Sequence, residues 1–488
     1  MEKTKLFLTL AVALLTSVSF VSCGDDKDDS SSESTEQTGG GTTGGGGTTG
    51  GGATAMSPSE QKAYLEKVAR EFMAVVKKDD FKEMGDFAKY VKDTYVDYDW
   101  DNVEDWAKDC FDAVSKQVNV SNDPRESSYS SGIYTYNYYY NTITTNFESL
   151  LYASNFCSRF TASNGRWVRT DANNLEFVFT DQNRQTCSLK LETSGKVVKV
   201  HAAYIKDYSG YDYKSEQNGN TYTYISNTYY DAYECTIGVP EHIVVTLTRG
   251  NAEVVKSTVD IDLSNIVNDE FDLSRSSLTA KCVTTLANGY VFNVSQVAYT
   301  ANRKASVSFE MTKGNQKLVT IAVAGDPSGI PSCNISAFSH DDVNEEQYEN
   351  ATIANGLVKI DILGKFQMQG TIKDARKLYN YLEDADNNNR NEANFKSYIN
   401  QANALADINV FYDGNSTKQA SVKMESFSER NWRGETRWEM EPVLCFYDGS
   451  SYSTFEAFFN DKDFEGLIKS FKSYAQDYAA LVGEKIKW

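Results

Sequence analysis

SLTAKCVTTL-ANG-YVFNVSQVAY, Ser277 to Tyr299, sets two runs of largely alternating apolar and polar residues around a tight Asn-Gly turn. Alternation with period two sends successive side chains to opposite faces of a strand, and Asn-Gly supplies the backbone conformation a short hairpin loop needs. The same pattern repeats on both sides. Upstream, His242–Thr248 and Glu253–Leu263 flank Arg249-Gly250-Asn251; downstream, Lys304–Met311 and Lys317–Ala324 flank Lys313-Gly314-Asn315. Short runs joined by turns, with no helix-length segment between them, predict a mainly antiparallel meander and argue against a parallel sheet with crossover helices. Leu175–Thr180, Thr186–Glu192 and Lys196–Tyr204 carry the period back toward Ser127.

Outside this centre the period lengthens. Ser57-Pro58-Ser59-Glu60 has the form of a capping box with Pro at the first helical position. Three helices are predicted from there: one carrying Tyr64, Leu65, Val68, Phe72, Val75 and Val76, a second over Phe81–Tyr95, and a third over Asn102–Val118. After the meander, Leu357–Gly370 reads as a strand. Asp374–Glu383 and Asn394–Ala404 read as helices around a polar loop, and Asp463–Leu481 as a closing amphipathic helix. The expected fold class is α+β, with a helical segment (57–120), an antiparallel β-rich domain (121–345) and a C-terminal α+β domain (346–488).

The chain has 488 residues with 48 Lys+Arg against 68 Asp+Glu, a formal charge of −20. Nucleic-acid binding needs clustered cations to neutralise phosphates, so nucleic acid is excluded as a partner. Aromatic residues at 13% argue against a disordered chain.

The first 56 residues carry an address. Lys3 and Lys5 precede an uncharged apolar run, Leu6–Val21, which is short for a membrane span. Phe20-Val21-Ser22-Cys23 follows, and then Gly24-Asp25-Asp26-Lys27-Asp28-Asp29. This arrangement resembles the signal of bacterial lipoproteins, with Phe20 where Leu is usual, and the acidic run resembles the export tag of Bacteroidetes surface lipoproteins. The resemblance implies removal of residues 1–22, lipidation of Cys23, and an export tag of Asp25, Asp26, Lys27, Asp28 and Asp29. It also implies an outer-membrane location facing the exterior, with the membrane as a partner only through the anchor. Three fatty chains at about 0.8 kcal/mol per buried CH₂ would hold the protein without a spanning helix. The tether, residues 23–56, includes ten glycines and four threonines in Gly39–Gly52. It behaves as a flexible coil with a reach of roughly 30 Å.

Tyrosine clustering is the unusual feature of the folded part. Tyr129–Tyr140 holds six and Tyr204–Tyr233 nine of the chain's 31 tyrosines. Tyr134, Tyr136, Tyr138 and Tyr140 fall on one strand face, and Tyr222 and Tyr224 repeat the spacing among Thr and Ser. These six are the candidate ligand-binding residues, because a wet row of phenol rings offers stacking surface and hydroxyls to a sugar. The competing reading is a ladder of cross-strand pairs with no ligand. Trp432–Glu441 combines two indoles with charged groups but reads as a strand with Trp438 and Met440 inward.

Conventional chemistry is absent. Asp97–Asp101 lacks the Gly and the terminal Glu of a calcium loop, with Asn102 and Lys108 in those places. Seven cysteines besides Cys23 form no C-x-x-C and read mostly as buried free thiols; no metal or cofactor is expected. His201, His242 and His340 are far apart, and there is no G-x-S-x-G, H-E-x-x-H, P-loop or dinucleotide fingerprint. The expected function is therefore a non-catalytic surface lipoprotein that binds a ligand, a glycan at the Tyr-rich sheet. The alternatives are an apolar ligand or lipid held beneath the C-terminal helix, or an adhesion or interaction module. A hydrolase would need a carboxylate pair that sequence cannot single out.

Overall fold

The computed structural model describes residues 55–147, 157–300, 304–331, 351–430, 434–448 and scattered positions between 453 and 476. These contain both helix and strand, and the strands are mostly antiparallel. The helices are α1 (Pro58–Val75), α2 (Lys78–Tyr95), α3 (Asp101–Val114), α4 (Ala375–Asn387) and α5 (Glu392–Leu405). The chain divides into two compact units. One comprises Tyr90–Leu357 with Lys373–Lys377, the other Met1–Lys89, Val358–Ile372 and Leu378–Trp488.

The first of these is built on twelve strands among the described residues. They are β1 (Ser115–Ser131), β2 (Tyr134–Phe147), β3 (Ser158–Ser163), β4 (Arg166–Thr170), β5 (Leu175–Thr180) and β6 (Thr186–Asn218), followed by β7 (Thr221–Arg249), β8 (Ala252–Ser264), β9 (Ser277–Leu286), β10 (Tyr290–Thr300), β11 (Lys304–Lys313) and β12 (Gln316–Asp326). From β6 onward each strand pairs antiparallel with the next, as the turn signals predict. Gly289 and Gly314 take the turn positions at φ 84° and 55°. Tyr290 and Leu318 are fully enclosed within this meander.

Three details depart from the expectation. Thr186–Glu192 and Lys196–Tyr204 are one strand, β6, with a register shift between Ser194 and Val197 around Gly195 at φ 86°. The Gly that reads as a break is a bulge, and the ladder continues through it. The third helix stops at Val114, because Ser115 already pairs with Phe147. Finally, β2 pairs parallel with β7, and β3 parallel with β5. Strand β7 is long enough to take β2 along Tyr224–Ile237 and β8 along His242–Arg249 on one edge, while β6 follows its whole other edge.

The base of this unit is aromatic. Helix α3 places Trp106 5.2 Å from Phe160, which stacks on Phe177 at 5.1 Å. Trp167 packs with Tyr95, Tyr98 and Trp100. The Tyr95 hydroxyl closes the edge of β5, donating to the Thr180 carbonyl at 2.7 Å and accepting from the Thr180 amide at 3.0 Å. Asp99 is held by the β4 backbone: its amide donates to Gly165 and its carbonyl accepts from Trp167. It is thus part of an interhelix connection, and among the described residues no three His, Cys, Asp or Glu side chains are placed to hold a metal.

The other unit contains most of β13 (Ala354–Ile362) and of β14 (Phe366–Asp374), with β15 (Ala406–Tyr412), β16 (Ala420–Arg430), β17 (Thr436–Phe446) and the short β18 (Ser453–Thr454). The run expected as one strand over Leu357–Gly370 is instead broken by a turn at Leu363-Gly364, both at positive φ. Leu is unusual there, and its apolar character hides the turn. Strands β14 to β17 pair antiparallel in order. One sheet face, followed by parity along β16 and β17, carries two clusters side by side. Val422, Leu444 and Phe446 belong with Tyr64 and Leu65 of α1, while Met424, Trp438 and Met440 belong with Leu382, Phe395 and Ile399 of α4 and α5. Trp438 therefore points into the core, with Lys396 over its ring at 4.4 Å; Trp432 and Arg433 lie outside the described residues.

Ser57 caps α1 in the predicted box: its hydroxyl accepts from the Glu60 amide and the Glu60 carboxylate accepts from the Ser57 amide. The hydrogen bonds from Ser57 hold the Glu60 carboxyl below its ordinary range. The closing helix expected over Asp463–Leu481 falls mostly outside the described residues. Gly466, Lys469, Ser470 and Lys472–Gln476 within it are helical. Among the described residues no helix is long and apolar enough to cross a membrane. Residues 1–54, with Cys23 and the acidic tag Asp25, Asp26, Lys27, Asp28 and Asp29, lie outside them.

Candidate functional site

The two tyrosine clusters meet in one four-stranded blade of order β1-β2-β7-β6. Its register fixes which side chains share a face, because paired residues project to the same side. Tyr134 pairs with Tyr224, Tyr136 with Ser226, Tyr138 with Thr228 and Tyr140 with Tyr230. On the far edge of β7, Ser226 pairs with Tyr213, Thr228 with Tyr211 and Tyr230 with Tyr208. On the near edge of β2, Tyr129 pairs with Tyr136.

All six candidate tyrosines are thus positions of one face. Tyr134, Tyr136, Tyr138 and Tyr140 lie along β2, and Tyr224 lies beside Tyr134 on β7. Tyr222 sits next to the β6–β7 turn, opposite Gln217. The side chain of Tyr140 is outside the described set. Tyr129, Tyr208, Tyr211, Tyr213 and Tyr230 share the face and are absent from the sequence-based set. Tyr211-Asp212-Tyr213 carried the needed alternation. For Tyr208 there was no such signal, since strict alternation puts it on the opposite side. A register shift between Tyr208 and Gly210 returns it to the face of Tyr211.

The register builds a trough. Ser226 and Thr228 form its floor on β7, between Tyr136 and Tyr138 on β2 and Tyr213 and Tyr211 on β6. Adjacent strands are about 4.8 Å apart, so the two walls stand roughly 10 Å from each other. One end is closed by a stack of three rings, Tyr134 on Tyr224 at 5.2 Å and Tyr224 on Tyr213 at 6.0 Å. The other end carries Tyr230, met edge-on by Tyr208. Tyr136 stacks on Tyr129 on its outer side at 6.3 Å, and no described ring covers its other face. Tyr211 and Tyr213 are 55% and 53% exposed, whereas Ser226 is only 8% exposed. Tyrosines that reach into solvent beside a lower Ser226 leave a shallow groove on a face whose rings also pair across strands.

From Tyr134 and Tyr224 to Tyr230 the trough carries no charge among the described side chains; farther along the same face Glu234 accepts from the Thr144 hydroxyl. Charge and amide groups lie on the reverse face. There Asn137 Nδ2 donates to Asn227 Oδ1 at 2.8 Å, and Asn227 Nδ2 donates to Asp212 Oδ1 at 2.6 Å. Tyr229 donates its hydroxyl to Asp212 Oδ2 at 2.7 Å, and this hydrogen bond to the carboxylate pushes the phenol pKa up.

The described histidines and cysteines stand apart from the trough. His201 Nδ1 lies 2.7 Å from Glu270, His242 pairs with Asp260, and His340 is outside the described residues. The six described cysteines are free thiols; Cys110 and Cys187 are buried and the others half-buried, and Cys333 is outside. Burial raises the thiol pKa of Cys110, Cys187, Cys235 and Cys445, the inert direction for a nucleophile.

No protein-family model matches the chain, and no curated protein matches it in sequence.

Proposed function

We propose that the protein is a lipid-anchored lipoprotein of the outer cell surface. Its tyrosine trough holds one unbranched, uncharged saccharide chain without acting on it chemically. The observation that carries this reading is the Ser226–Thr228 floor, with Ser226 buried, between tyrosine walls in which Tyr136, Tyr211 and Tyr213 are exposed. A sugar ring in face contact with an aromatic ring on each side needs about 7–8 Å between the walls, at 3.5–4 Å per contact. A trough of roughly 10 Å accepts one chain and refuses a branch. Phenol and Ser/Thr hydroxyls supply donors and acceptors for sugar hydroxyls. The lack of charge among the described side chains of the trough, on a chain of −20, favours a neutral glycan over an acidic one.

In this reading the chain runs from lipidated Cys23 through the tether to the helical segment. The β-rich part bearing the blade follows, then an α+β part that ends in an amphipathic helix. Replacing Cys23 by Ser is expected to move the protein from the membrane fraction to the soluble fraction of fractionated cells; unchanged partitioning would sink the anchor.

Affinity electrophoresis of the mature chain tests the binding. Gels cast with neutral linear glucans, xylans or mannans should retard it in at least one case, and acidic pectins should not. Unchanged mobility across the whole panel would overturn the glycan reading.

A further inference from the structure

The reverse face of the blade holds a second arrangement, independent of the trough. Tyr139 of β2 pairs in parallel register with Tyr229 of β7, and their rings stack at 5.1 Å with 16° between planes. The Tyr229 hydroxyl donates to Asp212 Oδ2 at 2.7 Å. That carboxylate is held by Asn227 on its other oxygen, and Asn227 in turn by Asn137. Tyr229 is 37% exposed, so a diffusing oxidant reaches it. The stack Tyr134–Tyr224 on the trough face has nearly the same spacing, 5.2 Å, but no carboxylate among the described residues accepts from either hydroxyl. The reverse face thus combines three things: two phenols in contact, access, and a fixed proton acceptor.

We propose that Tyr139 and Tyr229 are a site of oxidative phenol coupling, forming a dityrosine bridge that staples β2 to β7, with Asp212 as the base that positions and deprotonates Tyr229. The oxidant is a one-electron oxidant driven by hydrogen peroxide, of the peroxidase class. Each phenol gives up one electron to it. The Tyr229 proton passes to Asp212 and then to water, and the Tyr139 proton passes to water directly. The two ring radicals join through a carbon ortho to each hydroxyl. The hydrogens on those carbons then move to the two phenol oxygens, restoring both rings. Hydrogen peroxide takes up the two electrons and two protons and leaves as two waters. Coupling requires ring edges to meet, so the two rings turn about χ1 and χ2 out of their stacked arrangement to react. Removal of a proton in step with the electron is what a prepositioned base accelerates.

The bridge joins strands that the chain connects only through about 90 intervening residues, so it would restrain the unfolded chain as a long-loop cross-link does. The unit would become covalently closed where β2 docks on β7.

The test treats the mature full chain with a peroxidase and hydrogen peroxide, followed by digestion and mass spectrometry. The expected product is an intramolecular peptide pair joining Tyr139 to Tyr229, lighter by two hydrogens. Tyr229→Phe and Tyr139→Phe keep the stacked ring and should each abolish that pair. Asp212→Asn should slow its formation several-fold and make the rate climb with pH as solvent takes over as base, while coupling at Tyr134–Tyr224 stays unchanged. Three outcomes overturn the proposal: coupling spread over the exposed tyrosines in proportion to exposure, coupling only between molecules, or an Asp212→Asn rate equal to that of the parent.

Discussion

Tyr136→Ala combined with Tyr211→Ala is expected to abolish glycan retardation while leaving the melting temperature nearly unchanged. Aromatic side chains that anchor a ligand cost about 2 kcal/mol each on truncation. The two stand on opposite walls of the trough, so their effects should add to about 4 kcal/mol, between two and three decades in Kd. Folding loses much less. Both are exposed positions of a sheet face, where a cross-strand pair contributes about 0.2–1 kcal/mol. Binding and stability therefore separate by magnitude. Ser226→Leu offers an independent check: it removes no ring and fills the floor, so it should abolish retardation too. Retained binding in either variant, measured by affinity electrophoresis, would sink the trough as the site.

Much of the blade was legible before its structure, and the parts that were not share a physical cause. Period two reads faces reliably, so Tyr134, Tyr136, Tyr138 and Tyr140 fall on one side, as alternation requires. Asn-Gly and Gly-Asn turns read the hairpins reliably, because few residues tolerate positive φ. Partner choice is a different kind of information. β2 lies 90 residues from its parallel neighbour β7, and no local signal in Tyr134–Phe147 specifies that pairing. Without it the trough cannot be seen, since its floor and one wall come from β7 and β6. Bulges are the second blind spot. One extra residue between Tyr208 and Gly210 reverses the parity of everything beyond it, which moves Tyr208 onto the trough face. The Trp438 strand was read correctly for the opposite reason: an inward indole beside Met440 needs only its own alternation and a helix to cover it.

Arg249→Leu is expected to be the most destabilising single change in the unit that carries the blade. Asp181 closes the β5–β6 turn and is 1% exposed. One oxygen accepts from the amides of Asn183 and Gln185 at 2.8 and 2.7 Å, and the other accepts from Arg249 Nε at the end of β7. Burial alone would push this carboxyl up. The amide of Gln185, the Arg249 guanidinium and the amide of Asn183 together outweigh it and hold the group below the usual carboxylate range. A carboxyl depressed in the folded state stabilises the fold above the unfolded value of about 3.9, and that stability is lost as pH falls through the folded value. Removing the cation leaves a buried carboxylate without its counter-charge, which costs about 3–5 kcal/mol at neutral pH. For a unit of this size that lowers the melting temperature by about 10 °C. The sign of the pH dependence separates this cause from lost packing: the deficit should narrow toward pH 4, where the variant's carboxyl can take up a proton, whereas a packing defect would persist. Adding Asp181→Asn to Arg249→Leu should recover part of the loss at neutral pH. Calorimetric melting at both pH values decides it, and a deficit equal at the two would mean that the guanidinium stem, not its charge, holds β7 to the turn.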